Sequence, residues 1–204
     1  MSFLMWNKFV KPVTEPKHSP APGGHDYCSG PHSHSSRTVV VGLGNDLLTD
    51  DGIGLFLARR LRHLLDPERY DIFELSVGGI EIVEHLTGYE RAVVIDACRT
   101  GRHAPGTLTR HRPDDFANTV RLGSYHTMNF ATTLELARLL GADLPRQIDI
   151  FAVEVEDTET VSEGCTPNVE ARIAALADEI AQTLMDEEEK QPSEALPISV
   201  AAQE

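Results

Sequence analysis

The chain has 204 residues, of which 41% are hydrophobic and 25% charged, and its formal net charge is −14 at pH 7. This composition is ordinary for one globular domain. The acidic charge argues against nucleic acid and anionic membrane surfaces as partners, because both would repel the chain. No apolar run is long enough to cross a bilayer, and the N-terminus lacks the features of a secretory signal. Three cysteines without a C-x-x-C pair favour a reducing compartment. The cytoplasm is therefore the expected location, and a monomer is the expected state.

Composition divides the chain into three parts. Residues 1–37 are rich in Pro, Gly, Ser and His without a strand or helix period, which predicts a disordered tail. Residues 38–186 carry the apolar patterns of a globular domain, and residues 187–204 read as a disordered acidic tail. The first tail also holds residues that would suit a metal, although their spacing fits no structural zinc module and the composition favours a disordered leader. These residues are His25, Cys28, His32 and His34.

Between the tails, strand patterns alternate with helical ones. In chain order the patterns predict strand TVVVGL, helix GIGLFLARRLRHLL, strand YDIFELSV, helix GIEIVEHL, strand RAVVIDA, edge strand GTLTRHR, helix NFATTLELARLLGA, strand QIDIFAVEV and helix NVEARIAALADEIAQTLM. Gly141 stands where a helix C-terminal cap is usual. This alternation predicts the α/β class: a single domain with a twisted, mostly parallel sheet sandwiched by helices.

The glycine-rich turn after the first strand resembles a phosphate-binding loop only superficially. Gly42 and Gly44 lie between a strand and a helix, but the third glycine of a dinucleotide fingerprint would fall at Leu47. No Lys followed by Ser or Thr is present, and Asp50 and Asp51 would repel a phosphate at the helix N-terminus. Nucleotide binding is therefore disfavoured, and the glycines are expected to permit a tight turn.

The paired acids of this turn have two interpretations. In the structural one, Thr49 or Asp50 caps the helix, since a side-chain oxygen there accepts hydrogen bonds from the first turn. In the functional one, Asp50 is the cap and Asp51 points into the crevice beyond the strand ends. Capping explains the presence of one acid at the helix start well, but that of the second acid only in part.

Two further side chains are candidates for the same crevice. Asp96 ends the strand AVVIDA, at the edge where open α/β sheets place their sites, and His126 is expected immediately before a helix. Either residue would also be ordinary as a turn acid or a surface histidine. If Asp51, Asp96 and His126 converge, they form a site for a first-row metal such as Ni²⁺, Zn²⁺, Mn²⁺ or Fe²⁺, with positions left open.

Four segments together resemble the hydrogenase maturation protease family, the endopeptidases that trim the large subunit of [NiFe]-hydrogenases. They are VVVGLGNDLLTDDGIG, VVIDA, APGT and SYHTMNFATTLELA, and the likeness runs from Thr38 to Leu184. The most specific part is the pattern G-x-G-N-x-L-x-x-D-[DE]-G-x-G. Many relatives have Glu where this chain has Asp51, and the shorter arm would alter the metal geometry slightly.

The resemblance implies a twisted α/β sheet between helices and a site that binds nickel, or a surrogate divalent metal, through Asp51, Asp96 and His126. It implies supporting roles for Asp50, Gly52, Gly78 and Gly79. The implied partner is the precursor of a [NiFe]-hydrogenase large subunit, which brings its nickel with it and still carries a C-terminal extension. The chain would then be a nickel-dependent endopeptidase of the aspartic type.

The hypothesis for catalysis uses the same three residues. Substrate nickel would polarise the scissile carbonyl or activate a water, and one of the acids would serve as general base. Cys98 and Cys165 are expected to be packing residues rather than nucleophiles. Glu154 and Glu156 are expected in a solvated loop or, alternatively, on a rim that contacts a basic part of the precursor. The rival function is a non-catalytic nickel-binding chaperone or scaffold, which would use the same ligands.

Overall fold

A computed structural model describes residues 35–76, 81–116 and 125–190, without the side chains of residues 35, 36, 116, 125–129 and 131. Gly78, Gly79 and the tail residues His25, Cys28, His32 and His34 lie outside the described residues. No helix in the described ranges combines the length and apolarity needed to cross a bilayer.

Five strands and six α-helices lie along these ranges, and the five predicted strands and four predicted helices are all present. The strands are β1 (Ser35–Leu43), β2 (Tyr70–Leu75), β3 (Tyr89–Cys98), β4 (Leu108–His111) and β5 (Gln147–Glu154). The helices are α1 (Ile53–Leu61), α2 (Glu81–Leu86), α3 (Pro113–Phe116), α4 (Tyr125–Leu139), α5 (Pro167–Glu170) and α6 (Ile173–Lys190). The short helix α3 was not predicted, and the last predicted helix is divided into α5 and α6. A 3-10 turn, Thr49–Gly52, leads directly into α1.

The strands form one sheet in the order β2-β1-β3-β5-β4. All neighbouring pairs are parallel except β4 with β5, which is antiparallel. The predicted mostly parallel sheet is confirmed, and GTLTRHR does supply an edge strand. The chain passes from β1 outward to β2 and then back across β1 to β3, so the strand order reverses between β1 and β3. Open α/β sheets bind their ligands at the carboxyl ends of strands at such a reversal.

Each face of the sheet has its own buried core because side chains alternate along the strands. Val40, Val93 and Val153 pack with α1 and α6 on one face. Val39, Val94 and Ile150 pack with α2 and α4 on the other. Burial on both faces explains why the central strands read as continuous apolar runs rather than alternating ones.

Several element ends differ from the predicted ones, and three of these bear on the domain bounds or on the candidate site. β1 begins at Ser35, so the last residues of the predicted tail belong to the sheet, where Arg37 pairs with Asp71 at 2.7 Å. α6 continues to Lys190, past the predicted domain end at residue 186, because Glu187 forms ion pairs with arginines of the sheet. α4 begins at Tyr125, so His126 lies in its first turn rather than before it.

Candidate functional site

Two acidic side chains lie at the carboxyl ends of β1 and β3, where the strand order reverses. Asp51 belongs to the 3-10 turn that follows β1, and Asp96 lies near the end of β3. They are 8% and 2% exposed. Burying a carboxylate is costly unless its charge is compensated, so two such groups at one edge of the sheet mark this edge as the candidate site.

Glycines bring the two strand ends against the start of α1. A Cβ at Gly54 would lie 2.2 Å from the carbonyl oxygen of Leu43 and 2.5 Å from that of Ile95, the residue before Asp96. The 3-10 turn itself contacts β3. Only a glycine at position 54 lets the helix backbone touch both strands, and this contact places the turn that carries Asp51 beside the strand end that carries Asp96.

The tight turn predicted for the glycines is present at Gly44, whose φ is +144°. A Cβ there would lie 1.9 Å from the carbonyl oxygen of Asp51. The backbone N–H of Asn45 donates to Asp51 Oδ2 at 3.0 Å. This amide is among the groups that a phosphate-binding loop would offer to its ligand, and here an acidic side chain accepts from it. The geometry therefore agrees with the expectation that the turn does not bind a nucleotide.

Backbone amides also orient the second acid. Asp96 Oδ1 accepts from the N–H of Ala97 at 2.9 Å. Each carboxylate thus accepts a hydrogen bond from a backbone amide at its own strand end. The accepting atoms are Asp51 Oδ2 and Asp96 Oδ1. Fixed carboxylates of this kind can bind a cation or accept a proton from a water.

The neighbouring acid, Asp50, has a different role from the predicted one. Neither the 3-10 turn nor α1 has a side-chain cap, so the capping prediction for Thr49 and Asp50 is wrong. Asp50 is fully buried and accepts from the N–H groups of Glu156, Asp157 and Thr166 at 2.6–3.2 Å, and from the Thr166 hydroxyl at 3.0 Å. Its carboxylate therefore fastens the loop between β5 and α5 to the glycine turn.

The prediction of a solvated position for Glu154 is also wrong. It is 2% exposed at the end of β5. It accepts from the N–H groups of Thr100 and Gly101, both at 2.7 Å, and from the Thr100 hydroxyl at 2.5 Å. Glu154 thus holds the chain just after β3, a role that strand periodicity does not reveal. Glu156 is exposed as expected and accepts from Asn168 Nδ2 at 3.1 Å.

The two described cysteines are unpaired and poorly suited to be nucleophiles. Burial, with the charges of Glu154 and Asp96 nearby, raises the pKa of Cys98 to about 12. Burial, with the charges of Asp50 and Glu170, likewise raises the pKa of Cys165 to about 12. The thiolate is the nucleophilic form, so these values agree with the expectation that both residues pack rather than react.

The third predicted ligand, His126, is placed only by its backbone. α4 packs on the same face of the sheet as α2, and its C-terminal end leads to the start of β5. Its first turn, which carries His126, is therefore at the other end of the helix. The His126 imidazole lies outside the described side chains. Within the described part of the chain, no group of three His, Cys, Asp or Glu residues is arranged to hold a metal ion. The set Asp51, Asp96 and His126 stays a prediction.

Comparisons with known proteins agree with the resemblance seen in the sequence. Residues 57–183 match the family model HycI, hydrogenase maturation protease. The hydrogenase 2 maturation protease of Escherichia coli (strain K12) is 29% identical over 156 residues, which cover 74% of this chain and 92% of that protein. The hydrogenase expression/formation protein HupD of Bradyrhizobium diazoefficiens is 28% identical over 158 residues, covering 76% and 81%.

The fold agrees as well. The solved structure of the hydrogenase maturating endopeptidase HybD from E. coli superposes with a TM-score of 0.63 at 28% identity. That superposition covers 74% of this chain and 93% of the other.

Proposed function

Because the chain belongs to the hydrogenase maturation protease family, we propose that it removes the C-terminal extension from the nickel-loaded precursor of a [NiFe]-hydrogenase large subunit. The observation that carries this proposal is the pair of buried carboxylates, Asp51 and Asp96, at neighbouring strand ends of a sheet with this family's fold. Two acids at the reversal of strand order supply what a metal-recognising peptide hydrolase needs at its centre.

In this proposal nickel belongs to the substrate. Asp51, Asp96 and His126 recognise the ion that the precursor carries, and in the isolated protein a surrogate divalent metal would take its place. The supporting chemistry is the donor set, since carboxylate and imidazole groups suit a first-row divalent ion. A cation between the two acids would also offset the cost of burying their charges. The site would thereby be selective for precursor that has already received nickel.

Peptide hydrolysis then needs a polarised carbonyl and a deprotonated water. A bound divalent cation supplies the first and lowers the pKa of the second. The protein's part is to take up the proton, and Asp51 or Asp96 is the proposed general base. The amides of Asn45 and Ala97 each occupy one carboxylate oxygen and so fix the direction of the other. The high pKa values of Cys98 and Cys165 support water rather than a thiol as the attacking group.

In this proposal the protein acts as a monomer in the cytoplasm. The free thiols of Cys98 and Cys165 are consistent with a reducing compartment. Its proposed partner is the precursor alone. The acidic net charge of −14 supports a partner that is not a nucleic acid or an anionic membrane.

Site variants test the proposal. Nickel-loaded precursor is mixed with the full chain, and its mass is followed by mass spectrometry. We expect Asp51→Asn, Asp96→Asn and His126→Ala each to slow the loss of the C-terminal fragment at least about 100-fold, since each removes a group that binds the metal or the proton. Their circular dichroism spectra should match that of the wild type. Asp178→Asn, at an exposed position of α6, is the matched control and should trim normally.

The outcomes separate the proposal from its rival. Full trimming by all three site variants would rule the site out. Stable association of the wild-type chain with the precursor, without a change of mass, would instead indicate a nickel-binding scaffold.

A further inference from the structure

Two large aliphatic side chains are exposed beside the candidate site. Leu47 is 62% exposed and Val161 is 79% exposed. They lie on different loops that are joined, because Leu48 forms a β-bridge with Val161 and the Ser162 N–H donates to the Leu47 carbonyl at 3.2 Å. The result is a small apolar surface shared by the glycine turn and the loop after β5.

This surface is continuous with the site. Asn45 donates its N–H to Asp51, and its side-chain oxygen accepts from the N–H of Leu47 at 3.1 Å. Leu47 is therefore fixed to the same residue that orients the Asp51 carboxylate. Anything that contacts Leu47 from solvent lies next to the carboxyl edge of the sheet.

The loops that carry the surface are held firmly. Asp50 accepts four hydrogen bonds from residues 156–166, and the Thr49 hydroxyl donates to the carbonyl of Thr160 at 2.6 Å. A surface presented by ordered loops loses little conformational entropy when a partner binds. The exposure of Leu47 and Val161 is thus a fixed feature of the fold rather than the looseness of a loop tip.

Two acidic residues flank Val161 in the chain, each two positions away. Glu159 is 85% exposed in its side chain, and Glu163 is also exposed. Arg99 reaches Glu159 at 3.5 Å, a surface ion pair of small strength. We use the name rim for Leu47, Glu159, Val161 and Glu163. A surface that offers two aliphatic side chains with acids on the same loop complements a segment with an aliphatic side chain next to Lys or Arg.

We propose that the rim docks the hydrogenase precursor itself, through an extended segment of that chemistry beside the bond to be cut. This inference rests on the proposed function and names the surface that recognises the protein part of the substrate, separately from the metal. A second copy of this chain is disfavoured as the occupant, because it would bring Glu159 and Glu163 against surfaces of a chain with net charge −14.

The first experiment removes the apolar centre. In the full chain, Leu47→Ser with Val161→Ser is compared with Leu139→Ser with Leu140→Ser, which are 79% and 74% exposed near the C-terminal end of α4. We expect the rim variant to weaken binding of the precursor about tenfold and to raise KM by a similar factor with kcat unchanged, because contacts formed equally in the ground and transition states affect KM alone. The control pair should bind and trim as the wild type does.

The second experiment reverses the charge. We expect Glu159→Lys with Glu163→Lys to slow association with the precursor and to flatten its dependence on salt, since rim charges act mainly on the association rate. Asp178→Lys with Glu179→Lys, on the exposed face of α6, makes the same change of net charge elsewhere and should leave the salt dependence nearly as it was.

Binding and trimming are measured separately so that the two proposals fail separately. An unchanged Kd and KM in the Leu47→Ser, Val161→Ser variant, with normal trimming by the wild type, would overturn the rim as a docking surface. Precursor that binds the wild type uncut, and binds the rim variant about tenfold more weakly, would support the rim and overturn the protease. A change in sedimentation of the free chain on substitution would assign the rim to self-association and so overturn it.

Discussion

Asp50 and Asp51 are adjacent in the chain, yet their carboxylates have separate tasks. Asp50 is fully buried and accepts four hydrogen bonds from the loop after β5, whereas Asp51 accepts from Asn45 at the site edge. A residue that binds only donors needs an acceptor-only side chain, which explains why an acid rather than an amide stands at position 50.

Asp50→Asn tests this assignment. The Asn side chain has an NH2 group in place of one carboxylate oxygen. This NH2 group cannot accept from the N–H groups of Glu156, Asp157 or Thr166, so at least one buried donor would lose its partner. We expect the free energy of unfolding to fall by about 2–3 kcal/mol, measured by urea denaturation at pH 7. Asp66→Asn is the control, because Asp66 is exposed and its carboxylate accepts from the N–H of Glu68 through Oδ1. Equal losses in the two variants would refute the role of Asp50.

The same residues show which side-chain roles can be predicted from the sequence and which cannot. Asp51 and Asp96 could be selected because each follows an apolar strand, a local signal. The partners of Asp50 lie 106 to 116 positions along the chain, and Glu154 binds groups more than 50 positions away. Local patterns carry no information about such contacts, so Asp50 was expected to cap a helix and Glu154 to be solvated.

Among the elements, the start of α1 determines the geometry of the site. The helix backbone at Gly54 touches the carbonyl groups of Leu43 and Ile95, and Gly42 allows an equally close approach from the strand side. The sequence indicated a turn between strand and helix from these glycines. It could not indicate that Gly42 and Gly54 face each other, because that depends on how the helix lies on the sheet.

Gly54→Ala should therefore move the helix. The added methyl group would overlap two backbone oxygens, which cannot withdraw as a flexible side chain can. We expect a loss of about 3 kcal/mol in unfolding free energy and at least about tenfold slower trimming, since the 3-10 turn with Asp51 would shift away from β3. Urea denaturation and the mass assay measure the two effects.

A suitable control is Gly101→Ala, where the added methyl group meets nothing within 4 Å and the φ of +68° alone makes the substitution unfavourable. That strain is expected to cost about 1 kcal/mol. If Gly54→Ala cost no more than Gly101→Ala, close packing at α1 would not be what positions the site.

The boundaries of the elements are harder to predict from the sequence than their order. The strands and the edge position of β4 were predictable because burial on two faces, or on one, leaves a direct mark on the sequence. The end of α6 could not be predicted, because the charged residues Glu187 to Lys190 have the pattern of a solvated tail. Only the structure shows that Glu187 forms ion pairs with two arginines of the sheet. The start of α4 was missed for a related reason: its first turn, from Tyr125, lacks the apolar period of the rest.

At the scale of the whole molecule, the two edges of the sheet have different tasks. The carboxyl edge carries Asp51 and Asp96. Toward the opposite edge, Asp149 is fully buried and pairs with Arg110 at 2.9 Å and Arg91 at 3.3 Å, while Glu187 of α6 pairs with the same two arginines. This ionic cluster joins β3, β4, β5 and α6, so the fold is fastened on the side away from the proposed chemistry.

The cluster predicts how stability depends on pH. Burial alone would raise the pKa of Asp149, but hydrogen bonds from Gln147 and Arg110 and the charges of Arg110 and Arg91 hold that pKa below its ordinary value. Burial would also raise the pKa of Glu187, but hydrogen bonds from Arg110 and Arg91 and the charges of both arginines lower it. A carboxyl whose pKa is lower in the folded state stabilises the fold above its unfolded pKa, and this contribution is lost as the pH falls through the folded pKa.

We therefore expect Asp149→Asn to reduce the free energy of unfolding by about 3 kcal/mol at pH 7, since it leaves the charge of Arg91, whose side chain is only 12% exposed, without one of its partners. The difference from the wild type should begin to shrink as the pH falls below about 4, where the unfolded carboxyl takes up a proton. It should be smallest below the lower pKa of the folded carboxyl, where the wild-type Asp149 is neutral too. Urea denaturation across the pH range measures both effects. Glu90→Gln breaks the exposed pair with Arg146 and should change stability by less than about 1 kcal/mol at pH 7. A loss from Asp149→Asn that stayed constant down to acid pH would show that the packing of this side chain, and not its charge, stabilises the fold.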